Sequence, residues 1–194
     1  MCIRDSSLPD TATEVIESFS NNEAALRMSA NTVNAITERN EVPPKLAETK
    51  LLLATAALKL NLDDAKRLGW RADWADALQR LGRHEEAVET LTELATQNPK
   101  VADFQIQLAR SLSKIGGDVA NQNALTNWRR LVRQLKPKTE NWFEAKLNVA
   151  TLLLRTGEKN EALTMLEYIK AIPPGWSKSK WKPDFEQLMA KCQN

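Results

Sequence analysis

Residues 71–99, with the sequence RADWADALQRLGRHEEAVETLTELATQNP, decide the fold of this chain. Apolar residues recur there every three or four positions, which predicts two amphipathic helices with a turn at residues 81–83. Ala75 and Ala87 place small side chains where the two helices must approach each other closely. A similar pattern returns downstream and ends at Pro137 and again at Pro174. The repetition predicts a stack of helical hairpins.

The composition favours helices throughout. Among the 194 residues, Gly (6) and Pro (8) are sparse, and Ala, Leu, Glu, Lys, Arg and Gln dominate. No alternating apolar and polar run is bounded by turn residues, so we expect no strand. No apolar run approaches 18 residues, the length that would indicate a membrane span. We therefore predict an all-α protein with no membrane span.

Charge is distributed unevenly along the chain. Residues 1–97 hold 11 basic and 16 acidic residues, whereas residues 98–194 hold 16 and 9, which gives net charges of −5 and +7. This asymmetry permits an anionic partner at the C-terminal half or head-to-tail association. Cys2 and Cys192 lie at opposite ends of the chain and do not decide the cellular compartment, although a cytoplasmic location is slightly favoured.

The first six residues, MCIRDS, resemble the translation of an adapter used in sequencing-library preparation. On this interpretation Met1 is not a biological start, and the chain is a C-terminal fragment of a larger protein. The alternative is a genuine, disordered N-terminus. Residues 1–10 are therefore expected to be disordered or artefactual.

Turn residues divide the chain into predicted helices. These cover residues 11–19, 22–39, 45–60, 63–81, 83–97, 101–115, 120–136, 141–156, 158–172 and 183–192. The predicted apolar stripe of the second helix is Ala25, Met28, Val33 and Ile36. That of the third helix is Leu46, Leu53, Ala57 and Leu60, widened by Leu52 and Ala56.

Three units align with one another, beginning at Leu68, Ala102 and Phe143. The small residues of the first helices are Ala75, Ala109 and Ala150, and those of the second helices are Ala87, Ala124 and Ala162. Each second helix then has a large apolar residue and a closing proline, namely Leu91 and Pro99, Trp128 and Pro137, and Leu166 and Pro174.

This pattern resembles the tetratricopeptide repeat (TPR) family, although the usual first-helix tryptophan of the family is absent and Trp74 stands at the next core position. The resemblance implies a right-handed α-solenoid of TPR-like helical hairpins. We expect degenerate hairpins in residues 11–67, three TPR-like repeats in residues 68–174 and a capping helix in residues 175–194.

The residues that could act in catalysis or bind a metal lack the partner residues that these roles would require. His84 is the single histidine, and no second histidine or cysteine is spaced to complete a metal or nucleophilic site, so a solvated position is expected. Ser111, Ser113 and Ser177 have no hydrolase context. Gly116-Gly117 follows a helix rather than a strand, so it is not a phosphate loop. The carboxylates expected on a solvated helix face are Glu85, Glu86 and Glu89. No catalytic residue, cofactor or metal is predicted.

The six tryptophans are expected to serve mainly in packing. Trp70, Trp74, Trp128 and Trp142 fall in predicted helices, and three of them stand at or beside predicted core positions, where packing is expected. Trp176 and Trp181 are expected to dock the last helix over the end of the stack, with a partner site as the alternative. A basic run could indicate nucleic acid, but a solvated outer face is the preferred interpretation for it. The run consists of Arg129, Arg130, Arg133, Lys136 and Lys138.

The resemblance implies a groove lined by the first helices of the repeats, and hence a protein or peptide partner. The groove is net basic at its centre, which permits an acidic partner. The family's groove positions fall on Asp76, Gln79, Arg80, Asp103, Gln107, Arg110, Ser113, Lys114, Asn148, Thr151 and Arg155. The set of Lys and Asn residues by which the family's chaperone-binding members hold acidic C-termini is not found. Two alternatives remain: a non-catalytic tail of a larger enzyme or secretory factor, and a binder of anionic polymers through the basic C-terminal half.

Overall fold

The computed structural model describes residues 13–14, 16–37, 44–172 and 176–193, and these residues form helices joined by turns, without a strand. A short helical segment at residues 13–14 and 16–18 precedes nine longer helices in this part of the chain. These are α1 (Glu23–Thr37), α2 (Pro44–Leu58), α3 (Asp64–Arg80), α4 (His84–Gln97), α5 (Ala102–Ile115), α6 (Asp118–Gln134), α7 (Glu140–Arg155), α8 (Lys159–Ala171) and α9 (Lys182–Gln193). The predicted fold class, all-α and built from TPR-like hairpins with a C-terminal helix, is confirmed. The prediction for residues 1–10 lies outside the described residues.

Side-chain caps explain where several helices begin. The Asp63 carboxylate accepts a hydrogen bond from the Lys66 amide at 2.8 Å, and the Asn22 side chain accepts one from the Ala25 amide at 3.2 Å. Each cap satisfies an amide that has no partner within its helix. Helix α3 runs through Gly69 without a break, a point on which the sequence left both possibilities open.

Two of the turns inside the hairpins have the same geometry. Gly82 and Gly157 adopt left-handed backbone conformations, with φ of 74° and 87°. The amide of the following residue, Arg83 or Glu158, donates to the carbonyl five positions earlier at 2.9 Å and 2.8 Å respectively. This is the Schellman motif, in which a left-handed residue ends the helix and satisfies its last carbonyls.

The chain divides into two compact units, Met1–Leu94 and Ala95–Asn194. In the N-terminal unit, α1, α2 and α3 pack around Trp70, which is fully buried together with Leu26, Ala30 and Ala54. The predicted stripe of α1 is partly wrong, because Met28 is 71% exposed and Ile36 is also exposed. The helix instead turns its Leu26, Ala30 and Val33 face inward.

Helix α2 also departs from its predicted face. Leu53 and Ala57 are buried as expected, but Leu52 is 41% exposed. Lys50 occupies a buried position on the inward side, where its ammonium meets carboxylates of α3. The inward face is therefore narrower and more polar than the apolar pattern indicated.

The C-terminal unit contains the larger core. Trp128, Leu131, Leu152, Leu153 and Leu166 are almost fully buried in one cluster. The six repeat alanines, in the two units taken together, are all 0% exposed: Ala75, Ala87, Ala109, Ala124, Ala150 and Ala162. The repeat register is therefore confirmed at its close-contact positions.

Helix α9 closes the C-terminal unit by packing on α7 and α8. The Phe185 ring stacks on Trp176 with centroids 4.7 Å apart and meets Phe143 edge-on at 6.2 Å. Trp181 is half-buried against the same core. The Ser179 hydroxyl donates to Glu140 at 2.9 Å and fixes the segment that leads into α9. The expected docking of this helix by its tryptophans is confirmed.

Candidate functional site

The predicted groove positions of the N-terminal unit lie on α3, where most of their charge is already paired. The Asp76 carboxylate accepts from Lys50 Nζ at 2.7 Å and from Arg80 Nε at 2.8 Å. Burial raises the pKa of Asp76, but the adjacent Lys50 ammonium and the bonds from Lys50 and Arg80 outweigh it and lower this pKa overall. Gln79 is half-buried on the same helix.

Asp76 belongs to a larger charged cluster, formed by Arg27, Lys50, Asp73, Asp76 and Arg80. Lys50 Nζ lies 3.2 Å from Asp73, and Arg27 donates to Asp73 at 2.5 Å. The Arg27 guanidinium also lies 3.6 Å above the Trp70 ring. Because the cluster links α1, α2 and α3, its first role is to hold the N-terminal unit together.

In the C-terminal unit, the first helices α5 and α7 bring their predicted positions onto one face. Arg110 donates from Nε and Nη2 to the two carboxylate oxygens of Glu144, at 2.5 Å and 2.7 Å. The Glu144 side chain is only 4% exposed, whereas that of Arg110 is 49% exposed. A buried carboxylate is thus neutralised by a guanidinium that still reaches solvent.

Two further cations flank this pair. Arg155 on α7 donates from Nη1 to the Ser113 carbonyl oxygen at 3.0 Å and remains exposed. Lys114 is exposed, and it forms no ion pair among the residues that the structure describes. We call the surface formed by Arg110, Lys114 and Arg155 the cationic face.

The remaining predicted groove positions of this unit differ in how exposed their side chains are. Asp103 is exposed and Gln107 is half-buried. Asn148 and Thr151 are half-buried, and they donate to the Glu144 and Leu147 carbonyl oxygens of their own helix, each at 2.9 Å. Their side chains border the cationic face but are partly used within α7.

Ser113 requires a correction, because its side chain is buried. Its hydroxyl donates to the Ala109 carbonyl oxygen at 2.8 Å and accepts from Trp128 Nε1 at 2.9 Å. The large indole at the second-helix core position needs a hydrogen-bond acceptor when buried, and Ser113 supplies it. Ser113 is therefore a core residue, and its hydroxyl is already engaged within the fold as donor and as acceptor.

The basic run on α6 is also partly paired. Arg129 donates to Glu161 at 2.8 Å, and Arg130 donates to Gln105 and Asn127. Arg133 and Lys136 are exposed. The run is therefore less cationic toward a partner than its sequence indicates.

Most of the other assignments made from the sequence agree with the structure. Trp70, Trp128, Trp142 and Trp176 are buried, and Trp74 is half-buried. The sequence predicted a solvated position for His84, but its side chain is half-buried at the start of α4. The three carboxylates expected on a solvated face are exposed: Glu85, Glu86 and Glu89. No described helix has the length and apolar character needed to cross a bilayer.

Sequence reasoning missed the charged cluster and a cavity of about 240 Å³ in the C-terminal unit. Lys50, Asp73 and Asp76 come from different helices, so no local pattern could reveal that they meet. The cavity lies among the end of α6, the following loop, α7 and α8. Its lining combines three separated stretches of the chain.

One protein family and two solved structures are similar to this chain. A family model described as Bacterial transcriptional activator domain matches residues 55–140. The crystal structure of a putative kinesin light chain from Podosopora anserina, with nearly identical TPR-like repeats, is similar at 18% identity and a TM-score of 0.49. That comparison covers 99% of this chain and 100% of the other. A variant of the same protein gives 17% identity, 99% coverage of both chains and a TM-score of 0.49. No curated protein matches the chain.

The fold and the repeat register define this chain as a TPR-like helical-repeat protein.

Proposed function

We propose that this chain is a protein- or peptide-binding scaffold without catalytic activity of its own, and that the cationic face contacts an acidic partner. The observation that carries the proposal is the arrangement of Arg110, Lys114 and Arg155 on neighbouring first helices of one unit. Three exposed cations outnumber the buried Glu144 and the exposed Asp103 on this face, so its net charge is positive. An acidic partner would associate faster with this positive surface, and the charge contacts would determine where along the face it binds.

The wider charge distribution supports the same choice of partner. The C-terminal unit, residues 95–194, contains all 16 basic and 9 acidic residues that follow residue 97. In the N-terminal unit, Asp76 and Arg80 neutralise each other within the charged cluster. We therefore place the main contact with an acidic peptide on α5 and α7 rather than on α3.

The test measures binding of a labelled peptide of alternating glutamate and leucine by fluorescence anisotropy. Lys114 is exposed and forms no ion pair with any described residue. We therefore expect that Lys114→Glu, which reverses its charge, leaves folding unaffected. We expect affinity to fall about fivefold to tenfold, since loss of one favourable charge contact is followed by repulsion. Lys191→Glu on α9 is the matched control, because Lys191 is also exposed and lies in the same unit. Equal effects of the two substitutions would contradict the proposal.

A binder of anionic polymers is a distinct alternative that the same measurement separates. Binding to a polymer releases condensed counterions, so its affinity would fall steeply as salt rises. Arg133→Glu on α6 would then weaken binding more than Lys114→Glu does. For the peptide-binding scaffold, we expect the reverse order and a shallower dependence on salt.

The match over residues 55–140 favours a second candidate, a regulatory module within a transcriptional activator. This role fits the non-catalytic part of a larger protein, and the cationic face would then bind another part of the transcription machinery. The test is a bacterial reporter in which the chain is fused to an unrelated DNA-binding domain. Activation that depends on Lys114 and is unaffected by Lys191→Glu would support it, and a silent, well-expressed fusion would oppose it.

A further inference from the structure

The cavity of about 240 Å³ in the C-terminal unit has a lining that suits one class of ligand. Trp142 and Phe143 on α7, with Tyr168 and Ile169 on α8, supply aromatic and apolar surface. Lys138, in the loop after α6, and Lys146 on α7 supply the charge. Among the described residues, two lysines and no acidic side chain line the cavity.

Lys146 is the central cation of this cavity. It is half-buried, with Nζ 5.3 Å from the centroid of the Trp142 ring. No carboxylate of the described residues pairs with it. Burial lowers the pKa of Lys146, because the charged ammonium loses solvation that nothing acidic replaces. A ligand that brings a negative charge would supply the missing compensation.

Two other residues line the part of the cavity that solvent can reach. Tyr168 is 61% exposed on its wall, so a ligand can contact its ring. Lys138 adopts a left-handed backbone with φ of 68°, a conformation that is costly for a residue with a Cβ. This conformation belongs to a turn after Pro137, in which the Thr139 amide donates to the Lys136 carbonyl oxygen at 3.4 Å, and the turn holds Lys138 at the edge of the cavity.

We propose that this cavity binds a carboxylate attached to an aromatic group, with Lys146 meeting the carboxylate and Trp142 and Tyr168 contacting the ring. The ligand could be a free aromatic acid or the terminal carboxylate of a peptide that ends in an aromatic residue. Both sources present the same chemistry to the cavity. This site is separate from the cationic face, since none of Arg110, Lys114 and Arg155 lines the cavity.

The experiment titrates the full chain with phenylacetate and, as a neutral isostere, phenylacetamide, using calorimetry. We expect saturable binding of phenylacetate and at least about tenfold weaker binding of the amide, because a charge-assisted hydrogen bond is lost. Lys146→Met should weaken phenylacetate binding to a similar degree, and Lys146→Arg should retain most of it. Lys170→Met is the control: Lys170 is exposed on α8 and does not line the cavity.

A short peptide ending in phenylalanine, as free acid and as amide, distinguishes the two sources. Tighter binding of the free-acid peptide than of phenylacetate assigns the site to a peptide terminus, and weaker binding assigns it to a small acid. Equal binding of phenylacetate and phenylacetamide, an unchanged affinity in Lys146→Met, or no saturable binding by either probe would overturn the proposal. A thermal melt of each variant confirms that the comparison is made on folded protein.

Discussion

Arg110 and Glu144 join the first helices of two successive repeats through a bidentate ion pair, in which Nε and Nη2 of Arg110 lie 2.5 Å and 2.7 Å from the two carboxylate oxygens. The pair removes the acidic charge of Glu144 from the surface, because the carboxylate is buried and doubly bonded. Lys114 and Arg155 on either side therefore present positive charge, and Asp103 is the one exposed acidic residue among the predicted groove positions of this unit. This relationship is the structural basis for assigning an acidic partner to the cationic face.

The first prediction concerns the close-contact alanines. Ala150→Trp should destabilise the chain by at least about 1–3 kcal/mol, because a fully buried position has no room for an indole. Ala190→Trp is the control, as Ala190 is exposed on α9. Chemical denaturation gives the free energy of unfolding for both variants. Similar values would mean that the repeat register places Ala150 wrongly.

The second prediction concerns Ser113, which the sequence placed on a binding surface and the structure places in the core. Ser113→Ala leaves the buried Trp128 Nε1 without its acceptor, at a cost of about 1–3 kcal/mol. Ser29→Ala removes an exposed hydroxyl that donates to its own helix, and it should cost less than about 0.5 kcal/mol. A mild effect of Ser113→Ala on stability with a strong effect on peptide binding would reverse our assignment.

The third prediction concerns acid stability. The pKa of Asp76 lies near 3.8 in the unfolded chain and below that in the folded one. A group whose folded pKa is depressed stabilises the fold above its unfolded pKa, and this contribution disappears as pH falls through the folded value. The difference in melting temperature between the parent chain and Asp76→Asn should therefore be large at pH 6 and should shrink steadily below about pH 3.8.

Glu167→Gln is the control for the acid titration, because Glu167 is exposed on α8 and forms no ion pair among the described residues. Its melting temperature should follow that of the parent chain across the whole range. A difference for Asp76→Asn that is constant with pH would show that the carboxylate charge of Asp76 does not stabilise the fold.

The fourth prediction tests the cap of the C-terminal unit. Phe185→Ala should cost about 3–5 kcal/mol, because this ring is fully buried between Trp176 and Phe143. Val119→Ala removes an exposed apolar side chain of the same unit and should change stability by less than about 0.5 kcal/mol. Chemical denaturation compares the two, and size-exclusion chromatography reports any association through the uncovered core. A stable, monomeric Phe185→Ala variant would mean that α9 does not act as a cap.

Sequence patterns predicted the features that depend on neighbouring residues. The turn at residues 81–83 and the buried alanines could both be located, since helical spacing and turn chemistry act over a few positions. The groove positions on α5 and α7 were implied by the resemblance to the TPR family, and their role in binding stays a prediction.

Features that depend on contacts between distant residues could not be predicted in this way. Lys50 was not assigned to the core, because its burial depends on Asp73 and Asp76 of another helix. Ser113 was assigned to a groove because position alone does not reveal that the Trp128 indole needs an acceptor there. Met28 looked like part of an apolar stripe, but Leu26 and Ala30 give α1 an alternative face that packs on its neighbours.

Amide hydrogen exchange measured with and without the peptide of alternating glutamate and leucine tests the central claim most directly. The account predicts that bound peptide slows exchange in α5 and α7 around Lys114 and Arg155, and that Lys114→Glu reduces this protection at the same peptide concentration. Protection confined to α6 around Arg133, or to the N-terminal unit, would contradict the assignment of the cationic face as the binding site.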